Sequence, residues 1–496
     1  MLTMILSCVF IVLGIIYLKG KYNQYYWKKR GVAFYDKHRS GGPLWQFITE
    51  DKSFFQILSE IYWSYEKEPA VGLGSFGDLG LYVKDPTNIQ HITQGDFQAF
   101  NHRGIAFTDA DILAHNVLML HGPKWKLIRQ KMTPLFTTVK LKNMFYIIDK
   151  SAQDFVEFLR AKPERLTGDT PEHLSQFCSA AISAAVFGIG TKSIFDSPFR
   201  EIAREALVPT FWTNIKFSLS GISGKLFKAL NLKLFQTHQE EFFIGAIKSV
   251  IRQREKENVK RHDFPDMCVE LQKKGTMVDN ETGLRLEPTD ELLAAQAFFF
   301  FLAGIDPTAA GIFGAIMEMG RNPDVLKRVH EDVDALFKKY NDKLTYDSIG
   351  EMKYLDNVLS ESLRLHPPIA FLTRQCVKDS VLPVGNVPVE KGVKIFTAIF
   401  ELHHDPKYFP EPEKFDPERF EREGEVNDAT YMPFGKGNRY CIGARYVRVQ
   451  ILTAIVHLLK HYTVRTYVLK GGVKYIKEQF QVRLKNVNVE FIPRSQ

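Results

Sequence analysis

The chain has 496 residues, of which 45% are hydrophobic and 25% charged, and its formal net charge is +8. This composition is that of a globular protein with a large core, and it excludes a disordered or fibrous chain. The positive excess is too mild to indicate a nucleic-acid-binding protein, but it suits a membrane surface or an acidic protein partner. The 39 phenylalanines are compatible with an aromatic core or with a site for a bulky apolar ligand.

The chain begins with an uncharged apolar run, LTMILSCVFIVLGIIYL at residues 2–18, which is near the short end of what can span a bilayer. A cleaved signal peptide would carry positive charge before such a run, whereas here the lysines and Arg30 follow it. By the positive-inside rule, we predict an uncleaved membrane anchor at 1–18 and a basic linker at 19–40, with the rest of the protein on the cytoplasmic side.

The next part of the chain is mainly helical, with long periodic runs at 141–160 and 235–256 and no repeat or linker that would divide it. The segment 206–235 is apolar and basic, and Pro209 and Gly221 interrupt it. Its composition fits a pair of core helices and a second surface that dips into lipid equally well.

A long buried helix is predicted to begin after the N-cap residue Thr289 and to end near Gly320. Within it, FFFFLAGIDPTAAGIFGA (298–315) contains one acid, Asp306, followed by the helix breaker Pro307. Amphipathic helices, short strands and a last helix at about 443–462 follow. We therefore predict a mainly α fold with a minor β part.

The five cysteines show no C-x-x-C pair and no zinc spacing, and their odd number argues against a disulfide framework. They indicate a reducing compartment. The five are Cys8, Cys178, Cys268, Cys376 and Cys441.

The segment PFGKGNRYCIGARY at 433–446 surrounds Cys441 with residues that suit a flat, anionic, iron-containing ligand. Gly437 permits a tight loop, and Arg439 places a fixed cation two residues before the sulfur. Gly443 removes bulk at the start of the following helix, whose amides and dipole stabilise a thiolate. Cys441 is therefore the candidate iron ligand.

These residues resemble a known signature. FGKGNRYCIG matches F-x-x-G-x-R-x-C-x-G, the haem-binding motif of the cytochrome P-450 (haem-thiolate) family, with Asn438 in place of the frequent proline. The resemblance implies that Phe434, Arg439, Cys441 and Gly443 bind haem b and that Cys441 is its axial ligand.

Three further segments fit the resemblance in the right order. WKLIR supplies Trp125 and Arg129, which the family assigns to a haem propionate, and Arg374 is similar to its additional propionate contact. ESLR supplies Glu361 and Arg364, one helical turn apart. In the family, this pair is buried and is completed by the arginine of PERF, which is Arg419 in this chain.

The resemblance covers about 19–496 and is closest to the microsomal branch, with insect-type xenobiotic-metabolising members. It implies one domain, 41–496, with haem between the long central helix and the Cys loop. It also implies a monooxygenase in the endoplasmic reticulum membrane that acts on a lipophilic xenobiotic, lipid or hormone. NADPH-cytochrome P-450 reductase is the expected electron donor and cytochrome b5 a second candidate partner; no nucleic acid is expected.

By the same analogy, we expect residues from four parts of the chain to contact the substrate. Phe107 and Ile112 precede the Trp125 helix, and Phe211 lies in the interrupted segment 206–235. The other two parts are the central helix and the stretch after Arg364. These last two groups are Phe299, Leu302 and Ala303, and Ile369, Ala370, Phe371 and Leu372. A surface of Lys124, Lys126, Arg445 and Arg448 is a candidate docking site for an acidic reductase.

The central helix departs from the family pattern [AG]-G-x-[DE]-T-[TS]. Pro307 replaces the first threonine, and Thr308 lies one residue later, about 100° round the helix. In one hypothesis, a kink at Pro307 lets Thr308 or a water preserve a proton relay with Asp306. In the other, oxygen activation is poor and the protein is an isomerase or dehydratase that acts on a peroxide without a reductase.

Overall fold

In the computed structural model, residues 2–75, 78–188, 201–202, 205, 210–222, 224–257 and 260–494 are described. The side chains of residues 2–6, 8, 9, 12, 75, 211, 214 and 222 are outside this description.

Most of the described chain is helical. The α-helices before the centre of the chain are Leu2–Lys29, Gly42–Thr49, Phe54–Ser64, Pro86–Gln90, Gly122–Met132, Thr138–Arg160, Thr170–Phe187, Phe211–Ile222, Gly224–Ala229, Thr237–Glu257 and Phe264–Lys274. Those that follow are Asp290–Arg321, Pro323–Lys339, Tyr346–Ile349, Lys353–Leu365, Phe400–His403 and Ala444–His461.

The strands form small sheets at one side of the helices. The largest has five strands in the spatial order Ala33–Phe34, Ala70–Ser75, Asp78–Val83, Lys394–Ala398 and Phe371–Gln375. Four two-stranded sheets pair Met277–Val278 with Arg285–Leu286, Ser380–Leu382 with Val387–Val389, Tyr462–Val468 with Val487–Pro493, and Lys474–Tyr475 with Leu484–Lys485. The predicted single large domain, mainly α with a minor β part, is confirmed.

The central helix, Asp290–Arg321, organises the main core. The Thr289 hydroxyl accepts a hydrogen bond from the Leu292 N–H, which confirms the predicted N-cap. The helix is about 48 Å long and continues through Pro307. Among the residues whose side chains are described, it is the one helix long and apolar enough to cross a bilayer, but 67% of its most apolar window is buried in protein, as expected of a core helix.

The first helix, Leu2–Lys29, continues past residue 18, where the sequence predicts the end of the anchor. Its C-terminal part packs on the five-stranded sheet: Trp27 is fully buried, and a Cβ atom at Gly72 would lie 2.4 Å from its indole ring. Asn23 also donates a hydrogen bond to the Asp78 carbonyl at 2.9 Å. Residues of the predicted basic linker therefore belong to the packed body of the protein.

A buried ion cluster joins the helix Lys353–Leu365 to the chain that leads to the Cys loop. Arg364 donates through Nε and Nη2 to both carboxylate oxygens of Glu361, each at 2.8 Å, and neither side chain is exposed. Arg419 Nε lies 3.5 Å from Glu361 Oε1, and Arg364 Nη1 also donates to the His403 carbonyl. Such a cluster specifies geometry more than it adds stability.

Replacing Glu361 by alanine leaves the Arg364 guanidinium buried without its carboxylate. We expect Glu361→Ala to lower the free energy of unfolding by about 3–5 kcal/mol. The matched control is Glu351→Ala, which removes exposed contacts with Lys339 and Tyr340 and should leave the free energy of unfolding nearly unchanged. Thermal and urea unfolding of both variants measure the difference, and equal losses would contradict the account.

Candidate active site

The Cys loop is a tight turn that holds Cys441 at its end. Gly437 has φ of +71°, and a Cβ atom there would lie 2.0 Å from the Thr93 carbonyl oxygen, so a larger residue is excluded. The Cys441 N–H donates to the Phe434 carbonyl at 3.0 Å and closes the loop. At Gly443, in contrast, an added Cβ atom would lie 3.7 Å from the Phe136 ring, which is an ordinary van der Waals distance. Contacts within the protein therefore do not exclude a larger residue at this position.

Cys441 differs from the three other cysteines whose side chains are described. It is exposed, whereas Cys178, Cys268 and Cys376 are buried. Desolvation by the surrounding protein raises the pKa of the Cys441 thiol, and the Gly443 N–H and two nearby arginines lower it. The thiol is therefore accessible to a ligand and is close to cations that favour its thiolate form.

Four arginines from four separate segments converge beside Cys441. Arg129 comes from the helix Gly122–Met132, Arg374 from the strand Phe371–Gln375, and Arg439 from the Cys loop. The fourth, Arg103, follows His102, whose carbonyl accepts a hydrogen bond from the Gln375 N–H at 2.8 Å. This bridge holds the Arg103 loop against the Arg374 strand.

The hydrogen bonds of these arginines within the described chain go to backbone carbonyls. Arg439 donates to the carbonyls of Leu118, Asn101 and Leu120 at 3.1, 2.8 and 2.6 Å. Arg129 donates to the Tyr440 carbonyl at 2.7 Å, and Arg374 to the carbonyl of its neighbour Thr373 at 2.8 Å. The Arg439 guanidinium also lies over the Trp125 ring, 4.4 Å from its centroid.

The electrostatics of the cluster are unbalanced. Burial is the main cause that lowers the pKa of Arg103 to about 10, of Arg374 to about 9 and of Arg439 to about 8, and repulsion from neighbouring arginines contributes to each of these values. Since a guanidinium stays protonated in proteins, these directions reflect the cost of burying positive charge together with repulsion between the arginines, and a bound anion would offset both. Within the described residues, no carboxylate pairs with any of the four arginines.

A dianionic ligand with its own metal fits this arrangement. The Nε atoms of Arg103, Arg374 and Arg439 are buried and have no hydrogen-bond partner among the described residues. Buried donors are normally hydrogen-bonded, so these N–H groups fit a ligand that carries carboxylates. The described residues contain no group of three His, Cys, Asp or Glu side chains that could hold a metal ion. Haem is a ligand of this kind, because its porphyrin carries the iron and its two propionates match the arginines in charge.

One face of the central helix is less buried than the rest. Ala303 is exposed, and Phe299, Asp306, Pro307 and Ala310 are half-buried, at spacings that place them on one side of the helix. The neighbouring Gly304 is buried, and a Cβ there would lie 2.7 Å from Ile182. The less buried face is thus turned toward a ligand site, and the opposite face packs on protein.

Asp306 and Thr308 lie on different sides of the central helix. The Asp306 carboxylate forms an ion pair with Arg483, which lies between the strands Lys474–Tyr475 and Leu484–Lys485. Burial raises the pKa of Asp306, and Arg483 opposes this shift. Thr308 is fully buried, and its hydroxyl has no hydrogen-bond partner among the described residues. The structure therefore does not bring Thr308 into contact with Asp306, and it gives no support to a shared relay.

The expected substrate residues are spread over several surfaces. Phe371 is buried and lines an apolar cavity with Arg103 and Arg374, whereas Phe107 lines an adjacent cavity that contains several lysines. Phe299, Leu302 and Ala303 lie on or beside the exposed face of the central helix. Ala370 is buried, and Ile112 and Ile369 are half-buried. The Phe211 side chain lies outside the described residues.

Sequence reasoning missed several residues of this region. Arg103 carries no motif, although the following Gly104, at φ +81°, marks a turn. Phe217 and Phe480 line the apolar cavity, and they come from segments far apart in the chain. Arg483 lies 177 residues from its partner Asp306. Only the folded chain brings these residues together.

Comparison with known proteins agrees with this geometry. The family model described as "Cytochrome P450" matches residues 42–491. The chain is 31% identical over 480 residues to cytochrome P450 6k1 of Blattella germanica, with 93% of this chain and 91% of the relative covered. It is 33% identical over 463 residues to cytochrome P450 6B7 of Helicoverpa armigera (92% and 91% covered) and 32% identical over 474 residues to probable cytochrome P450 6a13 of Drosophila melanogaster (93% and 92%).

The arginine cluster predicts that Arg103 helps to retain haem. Arg103→Ala removes one charge-assisted contact, worth about 1.5–3 kcal/mol, and we expect at least about tenfold faster haem loss. The haem-to-protein ratio and the rate of haem transfer to an acceptor protein measure the effect. Arg261→Ala, which removes an exposed partner of Glu257, is the control. Haem loss from both variants at the wild-type rate would contradict the assignment.

Proposed function

Because the chain belongs to the cytochrome P450 family, we propose that it is a membrane-anchored enzyme that inserts one oxygen atom of O2 into a lipophilic small molecule with electrons from NADPH. The family makes the chain an oxidoreductase of the monooxygenase type with a thiolate-ligated haem. The observation that carries the proposal is the accessible Cys441 beside four arginines that lack carboxylate partners among the described residues.

Haem with a thiolate ligand supplies oxygen activation and the oxidising equivalent. The chain supplies the binding site. We assign the haem b propionates to Arg103, Arg129, Arg374 and Arg439, and the iron to Cys441. Trp125 supports the cluster through its ring contact with Arg439.

The substrate class is a lipophilic xenobiotic or an endogenous lipid or hormone. The apolar cavity that reaches Arg103 and Arg374 supports this proposal, because five phenylalanines line its wall. They are Phe54, Phe217, Phe371, Phe396 and Phe480.

Proton transfer is proposed for Asp306. It is the titratable group on the less buried face of the central helix, and burial raises the pKa of its carboxyl, which favours a group that can hold and release a proton. Proline has no N–H, so Pro307 leaves the Ala303 carbonyl without its usual helical donor. That carbonyl belongs to an exposed residue and can accept a hydrogen bond from a water or a hydroxyl group. This acceptor and Asp306 together replace a relay that would otherwise use a threonine.

Membrane anchoring is proposed for the N-terminal half of the first helix. Phe10, Ile11, Leu13, Ile15 and Leu18 are each at least half exposed, which is typical of a lipid-facing surface. The lysines that follow favour insertion from the cytoplasmic side of the endoplasmic reticulum. The division into anchor 1–18, linker 19–40 and catalytic domain 41–496 remains a prediction.

A second lipid contact is proposed for the region Phe211–Ala229. Phe227 is fully buried, but Trp212, Ile215 and Leu226 are exposed together with Leu230 just beyond the helix. One side of the region is therefore core, and its other side presents apolar surface, so both predictions for this segment apply to it.

We propose NADPH-cytochrome P450 reductase as the electron donor, with cytochrome b5 as a second candidate. Arg445 is exposed at the start of the helix that follows the Cys loop and is the strongest docking candidate. Lys126 and Arg448 form ion pairs with Glu281 and Asp356, so they contribute less free positive charge to such a surface.

The alternative, an isomerase or dehydratase that acts on a peroxide, is favoured only by Pro307. Purified chain with reductase, NADPH and a lipophilic probe distinguishes the two activities. We expect oxygenated product that depends on reductase and NADPH and is lost in Cys441→Ala. Turnover of a lipid hydroperoxide without reductase, and no NADPH-dependent product, would overturn the monooxygenase proposal.

The Arg483–Asp306 ion pair makes a prediction about pH. Arg483 lowers the pKa of Asp306, so Arg483→Met raises that pKa and shifts the pH dependence of turnover to higher pH. Arg483→Lys keeps the charge and the wild-type profile. Asp306→Asn lowers turnover roughly 100-fold, the usual contribution of a proton-transfer group. A pH profile unchanged in Arg483→Met would show that the ion pair does not control Asp306.

A further inference from the structure

A second cavity, the basic cavity, lies beside the apolar cavity and has a volume of about 840 Å³. Its wall contains five lysines from four separated segments of the chain. They are Lys19, Lys124, Lys225, Lys228 and Lys394.

The positive charge of the basic cavity is largely uncompensated. Of its lysines, Lys394 forms an ion pair with Asp78 at 2.6 Å. The other four make no ion pair within the described residues, and Asp109 is the remaining acid in the wall. Four cations around one partly open cavity favour an anion.

Two histidines in the same wall have lowered pKa values, mainly because they are buried and partly because cations lie nearby. The rings of His102 and His121 lie 4.1 Å apart between centroids. Burial, with smaller contributions from His121, Arg439 and Lys228, lowers the pKa of His102 to about 3. Burial, Arg439 and Lys228 also lower the pKa of His121. The histidines therefore remain neutral near pH 7, and the lysines carry the charge.

The basic and apolar cavities are adjacent. Both are lined by Gly104, Ile105 and Lys394, so a molecule that extends past these residues would occupy both. The apolar cavity in turn reaches Arg103 and Arg374 of the haem site. A ligand that fills this path has a charged end in the basic cavity and an apolar end directed to the haem.

We propose that the basic cavity binds the anionic head group, a carboxylate or phosphate ester, of an amphiphile whose apolar chain extends past Ile105 into the apolar cavity. This assignment rests on the proposed function, whose substrate class it narrows from lipophilic molecules to acidic amphiphiles. Lys225 and Lys228 lie one turn apart on one short helix, and together with Lys124 they form the charged end of the site.

The basic cavity also lies next to the proposed membrane. Lys19 directly follows Tyr17 and Leu18, which are exposed on the anchor helix. The head group can therefore belong to a free acid that leaves the bilayer or to an anionic phospholipid that stays in it. The same lysines recognise both, and the test separates the two sources.

The test measures binding to the haem-loaded full chain in nanodiscs of phosphatidylcholine, without reductase or NADPH. Titration calorimetry compares dodecanoate with methyl dodecanoate, and dihexanoyl phosphatidylserine with dihexanoyl phosphatidylcholine. In Lys225→Gln/Lys228→Gln, we expect about tenfold weaker binding of the anionic probe and unchanged binding of its neutral or zwitterionic partner. Added salt weakens wild-type binding of the anion in the same way.

Two matched variants complete the design. Lys225→Arg/Lys228→Arg keeps the charge and should retain wild-type affinity. Lys273→Gln/Lys274→Gln removes two exposed lysines outside the cavity and should also bind normally. A selective loss in the dodecanoate arm identifies a free acid, and a loss in the phosphatidylserine arm identifies a lipid head group. Anion affinity that is the same in wild type and in Lys225→Gln/Lys228→Gln overturns the proposal, whatever the outcome of the turnover assay.

Discussion

The structure depends on a cluster of four arginines whose positive charge is not balanced by any carboxylate among the described residues. Arg103, Arg129, Arg374 and Arg439 meet beside the thiol of Cys441, and burial and mutual repulsion depress the pKa of the three most crowded guanidinium groups. Unpaired buried charge is costly, so such a cluster makes physical sense only with an anionic ligand. Haem satisfies this constraint in charge and chemistry, because it carries two carboxylates and places a metal at the thiol.

The rest of the fold holds this cluster together. The Gln375–His102 bridge, the turn at Gly437 and the carbonyl acceptors of Arg439 fix the arginines in space. The buried pair of Glu361 and Arg364 ties the helix Lys353–Leu365 to the chain that leads to the Cys loop. One face of the central helix is less buried near Ala303, and Asp306 lies on the same face. The same architecture leaves an apolar path to the haem and a basic cavity at its outer end.

Local patterns in the sequence predict much of this arrangement. The N-cap at Thr289, the ends of the central helix and the mainly α architecture follow from periodicity and capping, and the structure confirms them. Contacts between distant segments do not follow from such patterns. Arg103 lies in a loop without a motif, and the Arg483–Asp306 pair joins residues 177 positions apart. The position of Thr308 in the sequence predicts where it lies round the central helix. Only the packing in the folded chain shows that the Thr308 side of the helix is buried.

An experimental structure of the haem-loaded chain, with iron located by its anomalous scattering, tests the central claim most directly. The account predicts iron bonded to Cys441 Sγ and both carboxylates of the haem within hydrogen-bonding distance of the four arginines, including Arg103. Haem carboxylates that face other residues, with the arginines still unpaired, would contradict it.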